Sequence, residues 1–214
     1  GQWLQNYYDL NSPLGKKSGL DQMTIFSTRS SLNKPIEKAR LPFAFWYCKE
    51  SGSAIPLISL HKDDVKITIK FTNDFTGNAA ELWIDYIYLD KPEKRLFKED
   101  QEYLIDQIQT NTTNLLQNRL HIFHPIKEML WTLDSNNINK LTHCEITLNE
   151  QRIVRRDSDY FKLLQRYYSH SGISNKEVFM YSFSLYPEEF QPSGSINFSR
   201  LRNAYLNLTG NNIT

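Results

Sequence analysis

The chain has 214 residues, 40% hydrophobic and 13% aromatic, with 25 basic against 24 acidic side chains and a net charge of +1. That is apolar material enough for one large domain or two small ones, and the balanced charge gives no global drive toward nucleic acid or an anionic membrane. No apolar run approaches a membrane span, no charged segment followed by an apolar one reads as a secretory signal, and Cys48 and Cys144 have neither metal-knuckle nor redox spacing.

Residues 1–40 are weakly periodic. Trp3, Leu4, Tyr7, Tyr8 and Leu10 suit one helical turn or two, while 12–19 and 27–35 are rich in Ser, Gly, Lys and Pro and read as loop. Strand signals begin at 41–48, which is aromatic and bounded by turn residues, and continue at 55–60. Val65, Ile67, Ile69 and Phe71 then alternate with Lys66, Thr68 and Lys70, the clearest half-buried strand of the chain. Residues 82–89 carry large side chains on both faces, which predicts a strand buried on both sides.

The pattern next switches to a helix start. Asp90 stands at the N-cap, Pro92 early in the first turn and Glu93 three residues on. A helical connector between two sets of strands predicts a boundary between β domains at 91–115. Beyond it, 120–123 and 126–133 read as strands broken by His124-Pro125, and 134–140 is a turn cluster. Cys144, Ile146 and Leu148 alternate with Glu145 and Thr147, and 159–168 reads as a short helix or an extended aromatic loop.

From 178 to 185 the period is two again. Phe179, Tyr181, Phe183 and Leu185 share one face, Val178, Met180, Ser182 and Ser184 the other, so one row enters a core and the other is free for a second surface. Pro187, Pro192 and Gly194 end that strand through backbone chemistry. Many short strands separated by turns favour a sandwich or jelly roll over an α/β fold.

Little in the chain points to catalysis. Gly15-Lys16-Lys17-Ser18 resembles a phosphate loop, but Leu10 stands where its first glycine belongs and no strand precedes it. His121 and His124 have no third ligand at a supporting spacing. His61, His143 and His170 are isolated, so the ligand set of metal-dependent jelly-roll enzymes is absent. Glu188 and Glu189 are adjacent, and neighbours on an extended chain point apart where an acid–base pair must converge. Arg152, Arg155, Arg156 and Arg166 lie among Tyr160, Phe161, Tyr167 and Tyr168, a composition that suits single-stranded nucleic acid or a protein interface; Asp157 and Asp159 break the charge and favour the interface. No catalytic residue, cofactor or metal is expected.

Four segments carry a family likeness. Residues 41–71 read LPFAFWYCKESGSAIPLISLHKDDVKITIKF and 83–107 read WIDYIYLDKPEKRLFKEDQEYLIDQ. Residues 155–173 read RRDSDYFKLLQRYYSHSGI and 181–201 read YSFSLYPEEFQPSGSINFSRL. In this order they resemble the double jelly-roll major capsid proteins of nucleocytoplasmic large DNA viruses.

The resemblance implies an all-β fold, two jelly-roll β-sandwiches with short connecting helices. Family members are longer, so both barrels are expected to be incomplete. Residues 1–90 would be the C-terminal part of the first jelly roll, 91–115 a helical linker between barrels, and 116–214 the N-terminal and middle part of the second. It also implies a structural protein and not an enzyme. On the same resemblance, copies are expected to close into a homotrimer of pseudo-hexagonal outline that tiles an icosahedral shell. The implied partners are neighbouring capsomers and minor capsid or penton proteins, with no sequence-specific nucleic acid and no transmembrane segment. The implied place is the virion capsid, assembled in the host cytoplasm.

The residues carried over are architectural. Pro192, Ser193 and Gly194 fix the turn, with Gly194 at positive φ. Asn197, Phe198 and Arg200 follow in the family motif, Arg200 as an ion-pair or carbonyl clamp at a subunit or barrel contact. Tyr160 and Phe161 belong to the interface cluster. Without the resemblance, exposed aromatics and Asn-rich loops also suit a β-sandwich that binds glycans or a receptor.

Overall fold

The computed structural model describes residues 2–24, 39–60, 62, 64–71, 79–97, 99–134, 137, 140–172 and 177–211. They form two compact units, Gly1–Pro42 with Gln107–Thr214, and Phe43–Asp106. The helices are α1 (Gln2–Asn11), α2 (Leu14–Met23), α3 (Lys91–Leu96) and α4 (Gln165–Ser169). The strands are β1 (Gln117–Arg119), β2 (Pro125–Ile126), β3 (Glu128–Thr132), β4 (Leu141–Leu148), β5 (Gln151–Asp157), β6 (Val178–Ser182), β7 (Ile196–Asn197) and β8 (Ala204–Gly210).

Among the described residues all strands lie in the larger unit and all pairings are antiparallel. One sheet has the order β1-β8-β4-β5, and β2-β7 and β3-β6 form two-stranded ribbons. The expected alternation of β4 is realised. Cys144, Ile146 and Leu148 are buried while Glu145 and Thr147 stay partly exposed. Register places Ile146 opposite Leu206 and Leu148 opposite Ala204, so both central strands turn an apolar row to one side. That row joins Met129, Phe161, Phe179 and Phe198 in one core between the sheet and the β3-β6 ribbon. Asn149 and Glu150, with φ of 48° and 67°, close the β4–β5 hairpin in two residues. Positive φ at both positions matches the right-handed strand twist.

Two expectations change in this unit, and one open alternative is decided. Residues 14–23 are helix α2 and not loop. Its two glycines have open space around them, and the helix is held by buried Leu20, by Thr24, which donates twice to the Leu20 carbonyl, and by Lys17 at 3.3 Å from Asp9 of α1. Tertiary contact outweighs glycine's weak helix propensity. Residues 160–169 take the helical one of the two expected alternatives, a π-helical turn, Tyr160–Leu164, running into α4. On β6 the second face is not free, since Val178 and Met180 are as buried as Phe179. The loop expected at 27–35 lies outside the described residues.

The smaller unit departs further from a strand-rich reading. Residues 41–45 have no regular secondary structure and lead into 3₁₀ turns at Trp46–Cys48 and Ser51–Ser53, and 57–59 form a turn. Buried Ser53 fixes this geometry by donating to the carbonyls of Glu50 and Trp46. Trp46 packs 5.7 Å from Tyr103, and Lys49 pairs with Asp106 at 2.7 Å. Helix α3 forms with the expected capping box, Asp90 N–H donating to Glu93. Residues 65–71 and 82–89 have no regular secondary structure and make no ladder among the described residues. Ile69 is 45% and Trp83 84% exposed, so 82–89 is not buried on both sides. Side-chain pattern assigns faces, but an extended segment becomes a strand only when a neighbour takes its N–H and C=O groups.

Candidate functional site

The segment from β6 to β8 is built around two latches. Beyond β6, the N–H groups of Phe183 and Ser184 both donate to the Lys127 carbonyl. The following loop is closed by Ser193. Its hydroxyl accepts from Tyr186 N–H at 2.8 Å and lies 3.2 Å from the Tyr186 carbonyl, to which it donates, while Leu185 N–H donates to its carbonyl. Gly194 has φ of 136°, as expected, and a Cβ there would stand 3.1 Å from the Phe183 carbonyl oxygen.

The second latch joins two sequence motifs. Asn197 accepts from Ser199 N–H and caps the turn Phe198–Arg200. Phe198 is buried, 5.7 Å from Phe183 edge to face, and donates its N–H to the His124 carbonyl. His124 N–H donates to the Ser199 hydroxyl at 2.7 Å, and Pro125 pairs with Asn197. His124 therefore serves as a turn residue, φ 69°, clasped by the 197–199 backbone. Arg200 is exposed and makes no ion pair among the described residues.

The basic-aromatic cluster divides. Phe161 is fully buried, 5.4 Å from Trp131 and 6.2 Å from Tyr181, and is a core residue. Tyr160 is half-buried. Its hydroxyl accepts from Gln165, and the Arg156 guanidinium lies 6.0 Å from its ring centre. Arg152 and Arg155 converge on Glu145. Arg166 turns inward toward the Val178 carbonyl, and burial pulls its guanidinium below arginine's ordinary range against the charges of Glu177 and Asp9. Burial likewise raises the Tyr181 phenol, and pushes the Cys144 thiol up to about 12.

One cluster escaped the sequence reading. His170 is not isolated. Its ring contacts Glu128 at 2.9 Å and Glu188 at 3.3 Å. These residues come from three separate segments, and no spacing signals their meeting. Among the described residues no group of three His, Cys, Asp or Glu side chains is arranged to hold a metal, and no helix is long and apolar enough to cross a membrane.

Comparison with known proteins fits this architecture. The family model described as large eukaryotic DNA virus major capsid protein matches residues 127–214, from the start of β3 through β8. The model for the major capsid protein N-terminus matches residues 1–90. The major capsid protein of Pyramimonas orientalis virus is 33% identical over 97% of this chain and 64% of its own length. The chain belongs to the major capsid protein family of large eukaryotic DNA viruses. A second family member, from Paramecium bursaria Chlorella virus 1, is 30% identical over 79% of this chain and 54% of its own length. The chain thus spans between about half and two thirds of the length of these two capsid proteins. The crystal structure of PBCV-1 VP54, which was fitted into a cryo-EM reconstruction of the virophage Sputnik, superposes with a TM-score of 0.72 at 26% identity, covering 96% of this chain and 66% of that one. The fold class is the double jelly roll of these capsid proteins, and the β1-β8-β4-β5 sheet with its β3-β6 ribbon is its best-formed part here.

Proposed function

We propose that this chain is a structural part of a viral shell. Three copies close into a pseudo-hexagonal capsomer, and capsomers tile an icosahedral facet of the virion. The observation that carries this reading is the likeness, over nearly all of the chain, to a major capsid protein at 33% identity. Two similar barrels in each of three subunits give six similar wedges, which is why such a trimer has a hexagonal outline. The role is architectural rather than catalytic, and the partners are other copies, neighbouring capsomers and minor capsid proteins, with assembly in the host cytoplasm. On this reading 1–90 belongs to the first barrel, 91–115 links the barrels and 116–214 belongs to the second.

Within the capsomer, Pro192, Ser193, Gly194, Asn197 and Phe198 shape the loop end of the second barrel, with Phe161 beneath it in the core. Arg200 and Tyr160 face partners. Arg200 supports this because it is exposed, rigidly based on a capped turn, and free of an ion pair among the described residues. Light scattering with negative-stain imaging of the native full-length product tests the reading. A trimer of hexagonal outline is expected, and a stable monomer would reject it. Arg200→Ala should leave a folded protein deficient in trimers; normal trimers would remove Arg200 from the interface.

A further inference from the structure

We infer that His170 is a proton-dependent clamp tying the 185–194 loop to the end of α4 and the start of β3. The imidazole is 1% exposed and sits between two carboxylates, Nε2 at 2.9 Å from Glu128 and Nδ1 at 3.3 Å from Glu188. A neutral imidazole has one N–H, so it can donate to only one of them. The other nitrogen would then present a lone pair to carboxylate oxygen. The imidazolium donates to both, and such charge-assisted bonds are the strong kind. The arrangement is complete only with both ring protons present.

Glu188 makes the clamp act on the loop. The same oxygen, Oε1, also accepts from Ser171 N–H at 2.8 Å and from the Ser171 hydroxyl at 3.1 Å. Thus one loop carboxylate is grasped by two consecutive residues after α4. Nearby, Lys127 donates to the Glu189 carbonyl, the second tie between β3's leading end and this loop. The charges of the surrounding elements are Glu128 and Lys127 at β3, Glu188 and Glu189 in the loop, Arg166 on α4, Glu177 before β6, and Asp9 with Lys17 on α1 and α2. Removing one ring proton leaves two carboxylates flanking a neutral buried ring, and burial makes that mismatch costly. The Glu188 contact is the longer of the two and is the one released. The loop then depends on Ser171, Lys127 and its own Ser193 latch. This inference goes beyond the capsid reading and does not depend on it.

The test is hydrogen exchange of residues 183–195 in the full chain from about pH 5.5 to 8, corrected for the intrinsic rate. Protection should fall about tenfold or more across that range, the size of one hydrogen bond to a charged group. His170→Gln and Glu188→Gln should each give a profile without that fall. Glu188 is partly exposed, so its variant reads the clamp even if His170→Gln does not fold. A flat wild-type profile, or an unchanged fall in Glu188→Gln, would overturn the inference.

Discussion

Strand β4 and residues 65–71 carry the same alternation of apolar and polar side chains and sit in opposite surroundings. Cys144 and Ile146 are 0% exposed, whereas Ile67 and Ile69 are 36% and 45% exposed. The difference is neighbours. β4 lies between β5 and β8, with its hairpin partner two residues away. Residues 65–71 make no ladder among the described residues. Burial follows from the ladder, because a paired strand presents its apolar row to a common face and an unpaired one keeps its backbone in water.

The largest effect that tests this contrast is truncation of a core side chain in each region. Phe161→Ala removes a fully buried ring packed on Trp131 and Tyr181 and should cost about 3–5 kcal/mol in chemical denaturation. Ile69→Ala should change the stability of this chain by no more than about 0.5 kcal/mol. Equal losses would mean that 65–71 is buried in solution, and the contrast would fall.

The next effect concerns how α1 joins the larger unit. Gly172 N–H donates to the Leu10 carbonyl, and a Cβ at 172 would run into the carbonyl oxygens of Asp9 and Leu10, backbone that cannot swing aside. Gly172→Ala should cost about 1–3 kcal/mol and raise proteolysis within residues 2–11. Unchanged protease resistance would show that α1 is held chiefly by Leu10 and the Lys17–Asp9 pair.

Where the sequence was legible, the physics was local. The Asp90–Glu93 capping box, the β4 alternation and the positive φ at Gly194 all depend on residues within a few positions of each other. Family resemblance supplied the double jelly roll, which no period reveals. What stayed hidden was long-range. Helix α2 exists because Leu20 is buried, against its two glycines. His170 meets Glu128 across 42 residues, and Phe161, read as an interface residue, is a core ring. The exposure of 82–89 was equally illegible, since large residues on both faces show capacity for burial and not a partner.

The two cysteines give a chemical version of the same comparison. Cys144 is fully buried on β4 and its thiol is pushed up to about 12 by burial, while Cys48 in the smaller unit is exposed. A thiol reagent at pH 8 should modify Cys48 promptly and Cys144 only on unfolding. The shift also carries a sign. A free thiol ionises near 9.0, so between 9 and about 12 the unfolded chain sheds a proton that the folded chain keeps. This group's contribution is whole below pH 9 and is lost as pH rises through that window. Cys144→Ala should flatten the alkaline decline, although it also opens a small cavity at neutral pH. A decline of the same steepness in the variant would assign it to other groups.

The smallest effect lies in the turn that gives β4 its local partner. Asn149 suits positive φ, and its side chain accepts from the Arg202 N–H at 2.8 Å, tying the hairpin to the approach of β8. Glu150 also holds a positive φ, 67°, where its Cβ is crowded and where it makes no compensating bond among the described residues. Glycine removes that strain but gives the unfolded chain more freedom. The strain is the larger of the two, so Glu150→Gly should stabilise by about 0.5–1 kcal/mol, read as a higher denaturation midpoint with an unchanged slope. The same replacement at Asn149 should destabilise, because it frees the Arg202 N–H. Opposite signs at adjacent positions would show that a neighbouring strand is secured both by backbone geometry and by a side chain reaching β8. Destabilisation at both would mean that Glu150 is unstrained in solution and that Asn149 alone sets the hairpin.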